Sequence, residues 1–210
     1  MSLNIYLIRA GRVTGPIAKN TSNSAIEVIK KELLGQPQFV GGEAFLTFGN
    51  AVHAMHLEKS KSYNKKLSEA DKTAAMACVD SLGKHPVVKK LMQEAICEKK
   101  MYTVLNGVEF AYILDIHQPK RSTGSDIKTT TCKSLIEFID SAKKYGYFRQ
   151  GKLYKIAARL KHFYFVAIQK EPPYNVYILD VSEYPEEELY AERELEFLIY
   201  FYKKYGKTII

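Results

Sequence analysis

Cysteine is scarce in this sequence. It contains three cysteines, Cys78, Cys97 and Cys132, an odd number at spacings that match no zinc pattern. A disulfide scaffold and a zinc module are thereby excluded, and a reduced, cytoplasmic setting is expected. No run of about eighteen apolar residues occurs, so no membrane-spanning helix is expected. The N-terminal stretch holds Ile5, Leu7 and Ile8 but neither a sustained apolar core nor a small-residue cleavage site, which argues against a signal peptide. Internal repeats and low-complexity tracts are also missing. One domain over 1–210 is therefore expected, helical to about residue 96 and carrying a sheet with further helices from about residue 97.

Acidic residues are scarce in one segment only. Between Gln118 and Lys170 stand three acids against twelve Lys or Arg, whereas 183–196 holds seven Glu against the single Arg193. The formal charge of +8 is thus a local surplus, which favours a polyanionic partner over general solubility. What is present is otherwise ordinary: 46% hydrophobic and 26% charged residues fit a soluble globular chain, and 210 residues can bury a core without staples.

Periodicity places helices over about 24–34, 44–57, 68–82 and 86–95. Ile26, Ile29, Leu33 and Leu34 stripe the first, which Gly35 stops, and the Ser68/Asp71 pair resembles a capping box at the start of the third. The period then changes. Residues 99–105 and 108–116 read as strands joined by Asn106-Gly107, a strong hairpin signal. A strand over 125–130, helices over 134–144 and 147–160, strands over 162–169 and 175–181 and a closing amphipathic helix over 185–205 complete an α+β or α/β chain.

Phosphodiester hydrolysis at neutral pH calls for a divalent ion, and hard oxygen ligands on adjacent strands beside a cation suit Mg²⁺ or Mn²⁺. Asp115 ends one expected strand; Asp126-Ile127-Lys128 lies on the next, eleven residues on. Alternation puts Asp126 and Lys128 on one face, where a carboxylate can hold metal while the ammonium stabilises developing charge. Gln150 and Tyr154, four apart on a helix, share a face, and Arg149, Lys152 and Lys155 on the same helix offer cations to phosphates.

The order His53, Asp115, Asp126-x-Lys128, Gln150-x-x-x-Tyr154 resembles the nuclease domain of RecE-type exonucleases (exodeoxyribonuclease VIII), in the lambda-exonuclease-like and RecB-like branch of the PD-(D/E)XK superfamily. The strings Thr21-Ser22-Asn23-Ser24-Ala25, Phe48-Gly49-Asn50-Ala51-Val52-His53, Asp126-Ile127-Lys128-Thr129-Thr130 and Tyr145-Gly146-Tyr147 extend the likeness over roughly 22–181. The resemblance implies a restriction-endonuclease-like core, a central mixed sheet flanked by helices. It implies that Asp115, Asp126 and the carbonyl of Ile127 bind Mg²⁺ or Mn²⁺, that His53 ligates or orients, that Lys128 is the catalytic lysine, and that Gln150 and Tyr154 contact the DNA backbone and brace the site. Glu98 is either a further acidic group of the site or a surface carboxylate. The activity implied is a 5′ to 3′ exonuclease on linear double-stranded DNA in recombination or repair, phage-related, acting as a homo-oligomer that threads DNA as a ring, with a single-strand annealing protein as a further partner.

Two departures stand out: Tyr112-Ile113-Leu114 precede the first Asp, and Ser122-Thr123-Gly124-Ser125 lead into the second where the family tends to have apolar residues. The polar approach argues for a less buried strand and supports a second reading, a catalytically weak or inactive DNA-binding or assembly module. A third is a nuclease-like domain that meets a protein partner through the acidic helix near 186–196.

Overall fold

The structure, a computed structural model, describes residues 21–36, 43–58 and 67–209. The stretch weighed for a signal peptide lies outside them. Helix α1, Asn23–Leu33, starts where Ser22 Oγ accepts the Ala25 N–H at 3.3 Å, and it buries Ile26 and Ile29. Helices α2 (Glu43–Leu57), α3 (Glu69–Lys84) and α4 (Pro86–Met92) follow. Ser68 caps α3 by accepting the Asp71 N–H at 3.1 Å, and its hydroxyl, in place of the backbone N–H that a capping box uses, donates to Asp71 Oδ2 at 2.6 Å.

Strand β1, Ile96–Leu105, turns into β2, Val108–Gln118, through Asn106 and Gly107, whose φ angles of 49° and 78° form the left-handed pair that a tight hairpin needs. After a short 3₁₀ turn come β3 (Thr123–Thr130), α5 (Leu135–Lys144), α6 (Tyr147–Ala158), β4 (His162–Gln169), β5 (Val176–Asp180) and α7 (Pro185–Ile209). The strands lie in the order β1-β2-β3-β4-β5, antiparallel except for the parallel β3/β4 pair that α5 and α6 connect. This is the mixed, helix-flanked, restriction-endonuclease-like sheet expected.

Alternation along β4 sorts the core into two layers. Phe163, Phe165 and Ala167 pack with α1, α6 and α7, while Val166 and Ile168 pack with Phe48 and Val52 of α2 and Leu82 of α3. Central β3 is buried from Thr123 to Ile127 despite its polar composition. Its small side chains permit this: a Cβ on Gly124 would meet Leu160 at 2.6 Å and both Leu114 and Phe163 at 3.3 Å. The polar approach to Asp126 therefore marks close packing, which corrects the expectation of a less buried strand. Among the described residues no helix is long and apolar enough to cross a membrane.

Two features of β1 and β2 prepare the site. In β2, Val108, Phe110, Tyr112 and Leu114 face one core layer but Ile116 joins the other, so the alternation changes side at Asp115. Opposite it, the β1–β2 register passes from Cys97↔Ile116 to Lys99↔Leu114 without bridging Glu98 and Asp115, and Glu98 has φ 53°. Such irregularities re-aim side chains, and here both strands direct a carboxylate to one place.

Candidate active site

The pairing of β2 with β3 ends at Ile116↔Ser125, and beyond it the two strands diverge. On its β2 side, Ile127 therefore has no strand to bond to. Its N–H donates instead to Asp115 Oδ2 at 2.6 Å, and its carbonyl lies 2.7 Å from His53 Nε2. Asp115 and His53 thus close the fork that the missing ladder leaves open. His53 is delivered by α2, which approaches β3 closely: a Cβ on Gly49, one turn earlier, would sit 3.4 Å from Thr129 Oγ1. The other ring nitrogen, Nδ1, lies 3.4 Å from Asp115 Oδ2 and 3.9 Å from Glu98 Oε1.

Ligand atoms of His53, Glu98 and Asp115 all fall within 4.8 Å of one another. The two carboxylates face Nδ1 and the Ile127 carbonyl faces Nε2, and the His53, Glu98 and Asp115 group is a donor set suited to a hard divalent cation. The electrostatics agree. Burial, with the Asp126 charge beside it, pushes the Asp115 carboxyl up to about 7, although His53, the Ile127 N–H and Lys128 pull it down. Burial alone would lower the His53 pKa; Glu98, Asp115, Asp126 and the Ile127 carbonyl outweigh it and raise it to about 9. The imidazolium is the cation that these acceptors share.

Asp126 stands next to this group, engaged on its other side. Its Oδ2 meets Lys128 Nζ at 2.6 Å, and its Oδ1 accepts from Gln150 Nε2 at 3.1 Å. Gln150 Nε2 also lies 3.2 Å from Tyr154 Oη, where burial and the Asp126 charge push the phenol up to about 12. The Lys128 ammonium rests 5.2 Å from the Tyr147 ring and 5.8 Å from that of Phe165. Burial works against its charge, yet Asp126 raises its pKa, so it stays protonated. The structure therefore brings together His53, Asp115, Asp126, Ile127, Lys128, Gln150 and Tyr154, and adds Glu98 and Tyr147. Only the strand irregularity, invisible in the hydrophobic pattern, decides that Glu98 belongs here.

Arg149, Lys152 and Lys155 are not brought to the site. At 100° per residue they lie on the opposite face of α6 from Gln150 and Tyr154. Arg149, 1% exposed, is clamped between Glu27 of α1 and Glu194 of α7, the latter at 3.2 Å. Lys152 pairs with Glu192 at 3.0 Å and Glu188 at 3.5 Å, and Lys155 with Glu188 at 2.6 Å. Lys143 of α5 likewise meets Glu187 at 2.7 Å. The basic segment and the acidic helix, read separately as surfaces for partners, are in large part each other's partner. These three cations of α6, expected to face DNA, are turned toward glutamates of α1 and α7 and away from the site.

The fold is shared with a solved protein. A candidate exonuclease from Eubacterium rectale superposes with a TM-score of 0.65 at 16% identity, covering 86% of this chain and 80% of its own. A phage-related exonuclease from Haemophilus somnus 129PT gives a TM-score of 0.43 at 14% identity over 84% of this chain and 81% of its own. No curated protein matches the sequence. The model of the PDDEXK-like domain of unknown function (DUF3799) matches residues 29–197, most of the chain, and the chain therefore belongs to that PD-(D/E)XK family.

Proposed function

We propose that this chain is a divalent-metal-dependent deoxyribonuclease, its site held by His53, Glu98, Asp115, Asp126 and the Ile127 carbonyl. The observation that carries the reading is the meeting of His53, Glu98 and Asp115 ligand atoms within 4.8 Å at the β2–β3 fork, next to a half-buried lysine paired with Asp126 on the same strand face. Family membership supports it, as does the fold shared with the candidate exonuclease. Mg²⁺ or Mn²⁺ bound there would polarise a scissile phosphate and lower the pKa of a bound water.

The chain's own groups divide the remaining work. Asp115 and His53 would give up their protons to hold such an ion, which would tie metal affinity to pH. Lys128, kept charged by Asp126 and seated on the Tyr147 ring, presents an ammonium to the phosphoryl oxygens as charge builds there. Gln150 holds Asp126 in place from α6, and Tyr154 holds Gln150. In finer detail we propose a 5′ to 3′ exonuclease on linear double-stranded DNA in recombination or repair, working in the cytoplasm as a homo-oligomer, with a single-strand annealing protein as a further partner. The resemblance to RecE-type exonucleases supports these details.

The test is degradation of linear duplex DNA with 5′ or 3′ end labels. Turnover should require Mg²⁺ or Mn²⁺ and release the 5′ label first. Lys128→Met should lower kcat by about a hundredfold to a thousandfold while DNA affinity stays within about threefold. Hydrolysis that persists in EDTA, or in that variant at the wild-type rate, would overturn the mechanism.

A further inference from the structure

Tyr145-Gly146-Tyr147 was singled out by the resemblance, yet the chemistry above uses only Tyr147. Tyr145 ends α5 and is 51% exposed. Its conformation is set by the turn: Gly146 has φ 70° and lies against the Arg149 guanidinium, which a Cβ would meet at 3.0 Å. The Tyr145 ring sits 6.3 Å from Tyr147, and Tyr147 stacks on Phe165 at 5.3 Å with a 26° interplanar angle. The three rings form a column from core to solvent: Phe165 is fully buried, Tyr147 lies beneath the Lys128 ammonium, and Tyr145 opens to water. Lys144 Nζ stands 5.4 Å from the outermost ring.

The other exposed tyrosines and phenylalanines among the described residues, Tyr102, Tyr190, Phe197 and Tyr200, are on β1 and α7, away from this column. Tyr145 alone offers a ring face one aromatic neighbour from the lysine that meets the phosphate. A ring of this kind suits a nucleobase, since stacking needs only a π face. Inside a duplex both faces of every base are already covered by neighbours. A side-chain ring can take only a terminal or unpaired base, and Lys144 beside it can pair with the adjacent phosphate.

Building on the nuclease reading, we propose that Tyr145 is the stacking platform for a base next to the scissile phosphate, so that the strand enters the site with its end nucleotides unpaired. The experiment uses 5′-phosphorylated linear duplexes with Mn²⁺, either intact or abasic at one of the first three positions. Tyr145→Leu should raise KM about fivefold to a hundredfold with little change in kcat, and Tyr145→Phe should stay near wild type. One abasic position should penalise the wild type by a similar factor and add nothing in Tyr145→Leu. An unchanged KM in Tyr145→Leu, or an abasic penalty that persists in it, overturns the proposal.

Failure of the nuclease reading looks different: wild type and Lys128→Met would then be equally inactive on every substrate. Stacking is read in that case by binding alone, with a single strand carrying 2-aminopurine at its end. Quenching by wild type and Tyr145→Phe but not by Tyr145→Leu supports the platform, and equal signals from all three remove it.

Discussion

Two clusters of cations and carboxylates flank helix α6, and they differ in balance. Toward α7, Arg149 has Glu27 and Glu194, and Lys152 and Lys155 have Glu188 and Glu192: each cation meets carboxylates in direct contact. Toward the sheet, Glu98, Asp115, Asp126 and the Ile127 carbonyl crowd around His53 and Lys128, and the crowding shows as an Asp115 carboxyl pushed up to about 7 and a His53 imidazole raised to about 9. The first arrangement pairs each of these cations with carboxylates and ties three helices together. The second has acceptors to spare, and a surplus of buried acceptors is what a cation site consists of.

Removing the cation from the balanced cluster should have the largest effect on stability. Arg149→Met would leave Glu27 and Glu194 facing a buried apolar chain, and truncating one partner of a buried pair costs about 3–5 kcal/mol. The urea midpoint should fall accordingly with the slope unchanged. A loss under about 1 kcal/mol would mean that Arg149 is not a structural clamp and would reopen its availability to DNA.

The unbalanced cluster should reveal itself through pH. Asp115, raised above its ordinary 3.8, contributes stability that is present at low pH and lost as pH rises through about 7. His53, raised above 6.5, contributes stability that is present below that value and lost as pH rises through about 9. Both limbs fall in the same direction. In EDTA the Tm should therefore drop from pH 5 to pH 9, by on the order of 2 kcal/mol in stability, with the lower limb flattened in Asp115→Asn. Mn²⁺ takes the deprotonated ligands, so its stabilising effect should grow over the same range. A Tm that climbs with pH in EDTA would show that the acceptors are not in surplus.

The contrast also explains what could be read from residues alone. Among the described residues the α-helices and strands were legible in order because caps, the Asn106-Gly107 turn and periods of 3.6 and 2 mark them. Asp126 and Lys128 were legible too, since two residues on a strand share a face. Glu98 was not, because it reaches His53 only through a positive φ and a slip in alternation shared with Asp115, and no pattern of residue types encodes either. Thr123-Gly124-Ser125 misled for a packing reason: small residues in a crowded central strand look like polar residues on an exposed one. The α6 cations misled for a topological one. Their helical face could be computed, but that α7 would lie against it with its glutamates could not.

Within the site, the outermost brace should matter least. Tyr154→Phe removes one hydroxyl from Gln150 while the ring keeps its contacts with Tyr112 and Phe163 at centroid distances of 5.9 and 5.5 Å. Gln150 retains Asp126, so kcat/KM should fall by no more than about tenfold, the worth of one hydrogen bond. A drop as deep as that of Lys128→Met would make the phenol a participant in the chemistry.

The smallest effect is expected where residue patterns alone promised a phosphate contact. Lys152 lies on the α7 side of α6, its ammonium shared between Glu188 and Glu192 and its side chain 16% exposed. A lysine that neutralises a DNA phosphate contributes about one unit to the slope of log affinity against log salt. Lys152→Gln should leave that slope unchanged and cost about 0.5 kcal/mol of stability, the worth of a partly exposed pair. Were the slope to fall by a full unit, the ion pairs with α7 would have to open when DNA binds, and the balanced cluster would be a second part of the nucleic-acid surface.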